Sequence, residues 1–300
     1  MALGDQAGRP SARAAGAPPL AAVGMVMGAA GSIQFGAAFA VTVFDSLGPG
    51  GTTLARLGWA AALLLVIWRP RLRGQPPGAL RLAAAFGVSL GLMNWTFYEA
   101  IARIPLGAAV TFEFVGPLGV AVLASRRPRD LVWVGLAALG IVLLSDLGGE
   151  SRLDPVGIAL ALFAGGCWAA YILLSARTGA VFSGGGGLAL AMAVAALVAL
   201  PAGLVQGGAD LLEPALILSG LVVALASSVI PYSLEFEALR QLPPGVFGVL
   251  MSLEPAVATL AGLLILGQGL GTLQVAAIAL VIVASAGAAA TIRTPPPTEV

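Results

Sequence analysis

The stretches Thr111-Phe-Glu-Phe-Val-Gly-Pro117 and Met251-Ser-Leu-Glu-Pro255 each place a glutamate close to a proline inside an apolar segment. An ionisable group in a hydrocarbon environment is costly, and such groups mark substrate and ion pathways. Proline has no backbone N–H and interrupts a helix. Interrupted helices at two corresponding places in one chain therefore indicate the binding site of a transporter.

The two stretches belong to a longer repeat, because each follows a similar lead-in. The repeat does not superpose the two acids: Glu113 aligns with Met251, and Glu254 aligns with Gly116. We therefore expect the acids to have two distinct roles. An offset of 138 residues pairs Glu99 with Glu237, Ala100 with Ala238, Pro105 with Pro243, Gly107 with Gly245 and Pro117 with Pro255.

The composition predicts an all-α integral membrane protein with ten transmembrane helices. The chain is 59% hydrophobic and 10% charged, whereas a soluble domain carries about 25% charged residues. A spanning helix needs about 20 mostly apolar residues, and the fifth candidate is shorter than the others. The candidates lie near residues 20–40, 52–69, 80–100, 106–125, 131–147, 155–176, 186–206, 214–238, 245–266 and 271–292.

Several function classes are disfavoured by what the composition lacks. The sequence has no histidine and no lysine, all 15 basic residues are arginine, and the net charge is +1. A nucleic-acid partner, a metal site and a cofactor are therefore not expected. ATP-driven transport is disfavoured because the sequence has no Gly-x-x-x-x-Gly-Lys-[Ser/Thr] loop. We predict no enzyme activity; an intramembrane transferase and a membrane scaffold or sensor remain as alternatives of other classes.

Arginine bias in the loops predicts that both termini are cytoplasmic. With the N-terminus inside, only Arg103 and Arg152 fall outside, and Arg56 lies about one turn into the second predicted helix. The predicted outer loops hold Asp45, Asp146, Glu150, Asp154, Asp210 and Glu213. Twelve arginines fall on the cytoplasmic side: Arg9, Arg13, Arg69, Arg71, Arg73, Arg81, Arg126, Arg127, Arg129, Arg177, Arg240 and Arg293.

The helix count and the repeat together predict an inverted-topology architecture. Five helices per half is an odd number, so the second half enters the membrane upside down, as in many secondary transporters. We predict a disordered cytoplasmic N-terminus over residues 1–19, a first five-helix repeat over 20–147, a second over 155–292 and a cytoplasmic tail over 293–300. A cleaved signal peptide is not expected, because residues 14–44 carry no charge over 31 residues.

Longer motifs resemble the homoserine/threonine exporters of the EamA branch of the drug/metabolite transporter superfamily. The motifs are residues 105–133, Gly91-Leu-Met-Asn-Trp-Thr-Phe-Tyr98, Cys167-Trp-Ala-Ala-Tyr-Ile-Leu173, Pro231-Tyr-Ser-Leu-Glu235 and residues 247–256. The resemblance covers roughly residues 20–293. It implies two EamA repeats, export of small metabolites from the bacterial cytoplasm and proton antiport. In one departure, members often carry an acid where this chain has Gln268.

The strongest candidates for the transport site are the two acids beside prolines. Pro117 removes the hydrogen bond that would run back to the carbonyl of residue 113, so Glu113 lies beside a freed carbonyl that suits a proton or an ammonium group. Burial in low dielectric favours the neutral form of a carboxyl group. Glu254 precedes Pro255 at mid-depth of the ninth predicted helix. For both acids the alternative role is structural: Glu113 as a neutral, hydrogen-bonded link between helices, and Glu254 as a helix cap.

Three further charged positions have competing interpretations. Arg56 either snorkels to the interface or meets a substrate carboxylate or an internal glutamate. Glu99 and Arg103 lie four residues apart, which predicts an ion pair. Glu235 continues the helix face of Pro231 and Tyr232 and is the better pathway candidate of the Glu235/Glu237 pair.

Polar and aromatic residues at depth complete the predicted pathway. Each also suits packing or interhelical hydrogen bonding. They are Gln34, Asn94, Tyr98, Trp168, Tyr171, Tyr232 and Ser252, with Pro117, Pro231 and Pro255 as helix breaks.

Glycine spacing permits close helix contacts, within the chain or in a homodimer. Gly24 and Gly28 lie four residues apart, as do Gly87 and Gly91. The sequence as a whole predicts an exporter of neutral amino acids such as threonine or homoserine in the bacterial inner membrane. A drug or other metabolite exporter of the same fold is the alternative.

Overall fold

Every element that the structure describes is a helix. The computed structural model describes residues 20–125, 131–145, 153–182, 184–239, 242 and 244–291. The predicted tails, residues 1–19 and 293–300, lie outside the described residues, as do the loop residues 126–130 and 146–152. The α-helices are α1 (Leu20–Val41), α2 (Phe44–Trp68), α3 (Ala79–Ile101), α4 (Leu106–Glu113), α5 (Val115–Ser125), α6 (Leu131–Ser145), α7 (Pro155–Val181), α8 (Gly186–Gly207), α9 (Pro214–Ala224), α10 (Ile230–Leu239), α11 (Pro244–Met251), α12 (Glu254–Leu266) and α13 (Thr272–Thr291).

The helices identify a multi-pass membrane protein. Within the described residues, six segments are long and apolar enough to cross a membrane. They lie at Leu20–Val41, Phe44–Trp68, Pro155–Val181, Gly186–Leu212, Pro214–Glu235 and Val249–Leu266.

Three of the predicted spans are interrupted in the structure, each near a proline that was predicted to be a helix break. The segment at 106–125 is broken at Phe114, and the segment at 245–266 is broken at residues 252–253. The segment at 214–238 contains a π-helical turn, Leu225–Val229, just before Pro231. Each interruption lies within four residues of a proline, which cannot donate a helical hydrogen bond.

The predicted start of the second helix was wrong. The prediction began at residue 52 because charge, glycine and proline precede it, whereas α2 begins at Phe44. Gly48 interrupts this helix with φ 65° and ψ 169°, a conformation that glycine adopts without a Cβ clash. Pro49 then starts the longer part of α2, where its missing N–H costs no helical bond.

Small residues let the helices pack closely around the centre of the bundle. A Cβ on Gly87 would come within 2.5 Å of the Ala191 carbonyl oxygen, and one on Gly91 within 2.9 Å of the Ala195 carbonyl oxygen. The Gly87/Gly91 pair is therefore used for contact between α3 and α8 within the chain. Close approach of this kind supplies the dispersion energy that holds helices together in lipid.

Candidate functional site

A cavity of about 460 Å³ lies where the interrupted helices meet the centre of the bundle. Its lining includes three carboxyl groups and one guanidinium within the described part of the chain. The polar lining residues are Gln34, Arg56, Asn94, Glu113, Tyr171, Ser175, Ser227, Tyr232, Glu235, Glu254 and Ser285. The other lining residues are Ile33, Ala37, Met93, Phe97, Phe114, Pro117, Leu118, Val120, Trp168, Ile172, Phe247 and Met251.

Arg56 points into the bundle, so the snorkelling interpretation is wrong. It is only 6% exposed. Its Nη2 donates to the Ser227 carbonyl oxygen at 2.8 Å, and its Nε donates to the Ser228 hydroxyl at 3.2 Å. Its Nη1 donates to the Tyr98 hydroxyl at 3.2 Å, while the guanidinium carbon lies 5.4 Å from the centre of that ring. The Arg56 side chain is thus held in one orientation at the cavity.

The acceptor for Arg56 exists because of a helix break. Pro231 has no N–H to donate to the carbonyl of Ser227, four residues earlier. The π-helical turn Leu225–Val229 spans the same place. Pro231 itself is buried and does not line the cavity, so its contribution is to release the backbone oxygen that binds Arg56.

Glu113 is the last residue of α4 and is 8% exposed. Its charge interacts with that of Arg56. Its carbonyl lacks the usual helical donor because of Pro117, and it packs against α7, where a Cβ on Gly165 would come 2.5 Å from that oxygen. The predicted freed carbonyl therefore faces the backbone of a neighbouring helix, while the carboxyl group belongs to the cavity lining.

Glu254 is the first residue of α12, directly after the second break, and is 3% exposed. The Gln34 Nε2 atom of α1 donates to Glu254 Oε2 at 3.3 Å. The other oxygen of each side chain, Gln34 Oε1 and Glu254 Oε1, is buried and has no hydrogen-bond partner among the described residues. The sequence placed Glu254 at a break beside Pro255, and the structure puts it on the far side of that break, at the start of α12.

Glu235 and two tyrosines line another part of the cavity. Within the part of the chain that the structure describes, Glu235 Oε1 is buried and has no hydrogen-bond partner. Tyr232 interacts electrostatically with Arg56 and with the three acids Glu113, Glu235 and Glu254. Tyr171 packs on Phe86, with ring centres 5.2 Å apart. The charged residues and Tyr232 thus form one electrostatic cluster.

The structure brings most of the predicted pathway residues to the cavity and leaves four away from its lining. Asn94 lines it and donates to the Leu90 carbonyl at 2.8 Å. Trp168 lines it and packs edge-on against Phe114 with ring centres 5.0 Å apart. Tyr98, Ser252, Pro231 and Pro255 do not line it.

Tyr98 and Ser252 have local structural roles. Tyr98 is fully buried under the Arg56 guanidinium, where its hydroxyl accepts a hydrogen bond. The Ser252 hydroxyl donates to the Val249 carbonyl of the preceding helix, α11, at 2.6 Å. Tyr98 therefore supports the site through Arg56, whereas Ser252 stabilises the second break.

Away from the cavity, polar groups join the ends of the helices. The predicted ion pair is present, with Arg103 Nη1 2.8 Å from Glu99 Oε2. Gln206 donates to Glu99 Oε1 at 2.8 Å and accepts from the Gly50 N–H at 2.6 Å.

Gln268, the departure from the exporter pattern, has a clear structural contact. Its Oε1 accepts from the Leu106 N–H at 2.9 Å. Leu106 is the first residue of α4, whose N–H has no acceptor within its own helix. An amide oxygen and a carboxylate oxygen can both accept this hydrogen bond.

Comparison with known proteins places this site in a family. Residues 155–289 match the EamA-like transporter family. The protein named threonine/homoserine exporter RhtA from Escherichia coli (strain K12) is 46% identical over 264 residues, which cover 87% of this chain and 89% of that protein. The chain belongs to the EamA-like transporter family. Its namesake in Salmonella typhimurium (strain SL1344) is 45% identical over 267 residues, covering 88% of this chain and 90% of that protein.

Two more distant matches extend the comparison. The uncharacterized transporter YwfM of Bacillus subtilis (strain 168) is 26% identical over 216 residues, covering 69% of this chain and 73% of that protein. One crystal structure superposes with a TM-score of 0.56 at 19% identity, covering 90% of this chain and 96% of that chain. At this identity the superposition supports the fold alone.

One set of site residues was missed by the sequence analysis of this EamA-like chain. Ser227 and Ser228 hold Arg56, and Ser227, Ser175 and Ser285 line the cavity. The signal for Ser227 was available, because Pro231 stands four residues after it, as Pro117 stands four residues after Glu113. The two other lining serines had no local signal.

Proposed function

We propose that this protein is a secondary active exporter of small metabolites, with neutral amino acids such as threonine or homoserine as substrates, and that it exchanges them for protons by alternating access. The observation that carries the proposal is the buried cavity that combines Arg56 with Glu113, Glu235 and Glu254. The names of the relatives, which are threonine/homoserine exporters, support the same substrate class.

The cavity chemistry suits a zwitterion. A guanidinium has five N–H donors, and Arg56 uses three of them in the contacts described above. The two that are left can bind a substrate carboxylate, and guanidinium geometry matches a carboxylate well. The carboxyl groups of Glu113 and Glu254 provide the complementary acceptors for the ammonium group or for the exchanged proton.

The balance of charges supports proton exchange. Three acids and one arginine leave an excess of acid in a buried place, where uncompensated charge is costly. Protons bound to these acids remove the excess while the substrate is absent. When an ammonium group displaces a proton from an acid in the cavity, loading of the substrate releases a proton on the same side, as antiport requires.

The predicted architecture of ten transmembrane helices in two inverted repeats is supported by the helix bounds. The offset of 138 residues that aligns the sequence motifs also superposes α4 (Leu106–Glu113) on α11 (Pro244–Met251) and places Phe114, at the first break, on Ser252, at the second. The match of residues 155–289 to the family lies within the proposed second repeat, 155–292.

Helix packing supports the same symmetry. In the proposed repeats, α2 corresponds to α8, α4–α5 to α11–α12 and α6 to α13. The contacts of α2 with α8, α4 with α12 and α6 with α13 each join corresponding helices. The contacts of α1 with α10 and α12 correspond to those of α7 with α3 and α5. An approximate two-fold axis between two repeats produces this pattern.

The arginine bias supports a bacterial inner-membrane protein with cytoplasmic termini. In that orientation the cavity extends from mid-depth, at Gln34 and Glu113, into the cytoplasmic halves of α7 and α13, at Ser175 and Ser285. This placement suits a site that loads from the cytoplasm. The partners are then the small-molecule substrate, protons and lipid, and a homodimer stays a prediction from glycine spacing.

A drug or other apolar metabolite is the second candidate substrate. Phe97, Phe114, Trp168 and Phe247 give the cavity a largely apolar aromatic lining. Such a substrate does not need Arg56, so dependence of transport on Arg56 distinguishes the two classes.

Uptake by everted membrane vesicles tests the proposal. Vesicles that carry the protein should accumulate labelled threonine or homoserine when a proton gradient, acidic inside, is imposed. Glu113→Gln should abolish gradient-driven uptake and spare substrate exchange, because an amide cannot carry a proton. Glu213→Gln, at an exposed position before α9, is the matched control and should behave as the wild type.

Two results would contradict the proposal in different ways. If wild-type vesicles take up no amino acid and respond to no gradient, the exporter proposal fails. If Glu113→Gln retains gradient-driven uptake, the exporter stands and Glu113 is not its proton carrier.

A further inference from the structure

Unpaired polar atoms concentrate at the cavity. Of the six buried side-chain nitrogen and oxygen atoms without a hydrogen-bond partner in the described residues, five belong to residues that line it. These are atoms of Gln34, Ser227, Glu235, Glu254 and Ser285. A buried polar group without a partner costs free energy, so this concentration marks a place that a polar ligand completes.

Two of these atoms lie on side chains that are hydrogen-bonded to each other, Gln34 and Glu254. Gln34 and Glu254 are each 3% exposed, and Gln34 Nε2 donates to Glu254 Oε2 at 3.3 Å. When Glu254 is ionised, as it is beside an ammonium ligand, its carboxylate only accepts hydrogen bonds, and the amide then keeps Nε2 toward Glu254. Gln34 Oε1 and Glu254 Oε1 are then two acceptors on a joined pair that lines the cavity. A ligand that completes both must be a donor.

The electrostatic surroundings distinguish Glu254 from Glu113. Glu113 interacts with the positive charge of Arg56. Glu254 interacts with the like charges of Glu235 and Glu113, and its hydrogen-bonding neighbour Gln34 is neutral. Glu254 is therefore the acid that most needs a cation. Pro255 also deprives the carbonyl of Met251 of its helical donor, which adds a backbone acceptor one turn away.

We propose that Gln34 and Glu254 form the subsite for the ammonium group of the substrate and select amino acids over their deaminated analogues. An ammonium group has three donors and no acceptor, which matches a pair of unpartnered oxygens beside a carboxylate. The inference rests on the proposed function, because it assigns the two charged groups of the proposed substrate to two subsites. The carboxylate binds at Arg56, and the ammonium group binds at Gln34 and Glu254. In this arrangement Gln34 determines specificity.

Ligand binding to the full-length protein in lipid nanodiscs tests the subsite. Isothermal titration calorimetry compares L-threonine with 2,3-dihydroxybutanoate, in which a hydroxyl replaces the ammonium group. The wild type should bind threonine more tightly. Gln34→Met removes the acceptor at similar length and should reduce that preference about tenfold or more, the range for a hydrogen bond to a charged group. Gln34→Glu keeps an oxygen acceptor and should retain the preference.

Control variants separate the possible outcomes. Gln75→Met makes the same change at a partly exposed loop position and should bind as the wild type. The subsite is overturned if Gln34→Met keeps the wild-type preference, or if Gln34→Met and Gln34→Glu lose it equally. Should Gln34→Met bind neither ligand, Glu254→Gln decides, because the proposal requires that it lose the preference for threonine. A wild type that binds neither compound contradicts the proposed substrate class instead.

Discussion

At both helix breaks a proline removes a backbone hydrogen bond, but the two acids lie on opposite sides of the break. At the first break, Glu113 ends α4; at the second, Glu254 begins α12. The C-terminal end of a helix carries a partial negative charge and the N-terminal end a partial positive charge. The backbone therefore opposes an ionised carboxylate at Glu113 and favours one at Glu254.

The side chains around the breaks match this difference. Glu113 has the cation Arg56 within electrostatic range, which offsets the unfavourable helix end. Glu254 has the neutral amide of Gln34. A repeat can thus preserve its backbone while its two copies acquire different chemistry, because a shift of three residues moves an acid across the break.

Removal of Arg56 is the most severe test of the difference. Arg56→Ala leaves the Glu113 carboxyl without its counter-charge and the Ser227 carbonyl without its donor. Loss of a hydrogen bond to a charged group costs about 1.5–3 kcal/mol, so binding of the substrate carboxylate, and with it amino-acid transport, should fall about 10- to 100-fold. Arg56→Lys keeps the charge without the guanidinium fork and should recover part of the activity.

The control for Arg56 is Arg81→Ala, at an exposed position in the first turn of α3. Vesicle uptake at matched protein levels is the measurement. Normal amino-acid transport by Arg56→Ala would show that the carboxylate does not bind there. Loss of amino-acid transport with retained export of an apolar compound would favour the drug-exporter alternative.

Backbone packing at the first break provides the next test. A methyl group on Gly165 would lie 2.5 Å from the Glu113 carbonyl oxygen and 3.2 Å from its carbon. Gly165→Ala must push α7 away from the break, and overpacking of this kind costs about 1–3 kcal/mol. The melting temperature should fall in a thermal-unfolding experiment on the purified protein.

The adjacent glycine is the matched control for this change. A Cβ on Gly166 would meet no atom within 4 Å, and alanine is the better helix former. Gly166→Ala should therefore be neutral or stabilising. Equal destabilisation by both substitutions would show that the first break is not fixed by contact with Gly165.

The sequence predicted the residues of this site whose presence in an apolar segment costs much free energy. Acids and prolines inside apolar segments are costly, so Glu113, Glu254 and Glu235 could be named before the structure was known. Proline positions also located both interruptions of the repeat. The side of the break on which Glu254 lies was not predictable, because a proline removes a donor without fixing where the next helix begins.

The direction of a side chain accounts for the other differences between the predicted site and the observed one. Arg56 has the length to reach either the interface or the core, and its choice depends on the acceptors supplied by Ser227, Ser228 and Tyr98. The Ser252 hydroxyl donates to a carbonyl of the preceding helix, α11, a local bond that competes with any role in the pathway. Tertiary contacts determine both side-chain directions, and the hydrophobic periodicity of the sequence does not reveal such contacts.

The two short helices that precede the breaks, α4 and α11, start differently. This difference gives the prediction with the smallest expected effect. Leu106 begins α4 with an N–H that Gln268 accepts at 2.9 Å. The position that corresponds to Leu106 in the second repeat is Pro244, which has no N–H and needs no acceptor. Gln268 therefore acts as a helix cap supplied across the two repeats, and only one repeat requires it.

Gln268→Ala should cost about 1 kcal/mol, the usual effect of removing a helix cap, with a small fall in melting temperature. Gln268→Glu restores an oxygen acceptor and should be close to the wild type in stability and in uptake. If Gln268→Glu instead changed proton coupling while Gln268→Ala did not, the relevant property would be charge at this position rather than the cap. A cap that accounts for both variants would mean that position 268 needs only an oxygen acceptor, and that the two breaks differ in proton chemistry only at Glu113 and Glu254.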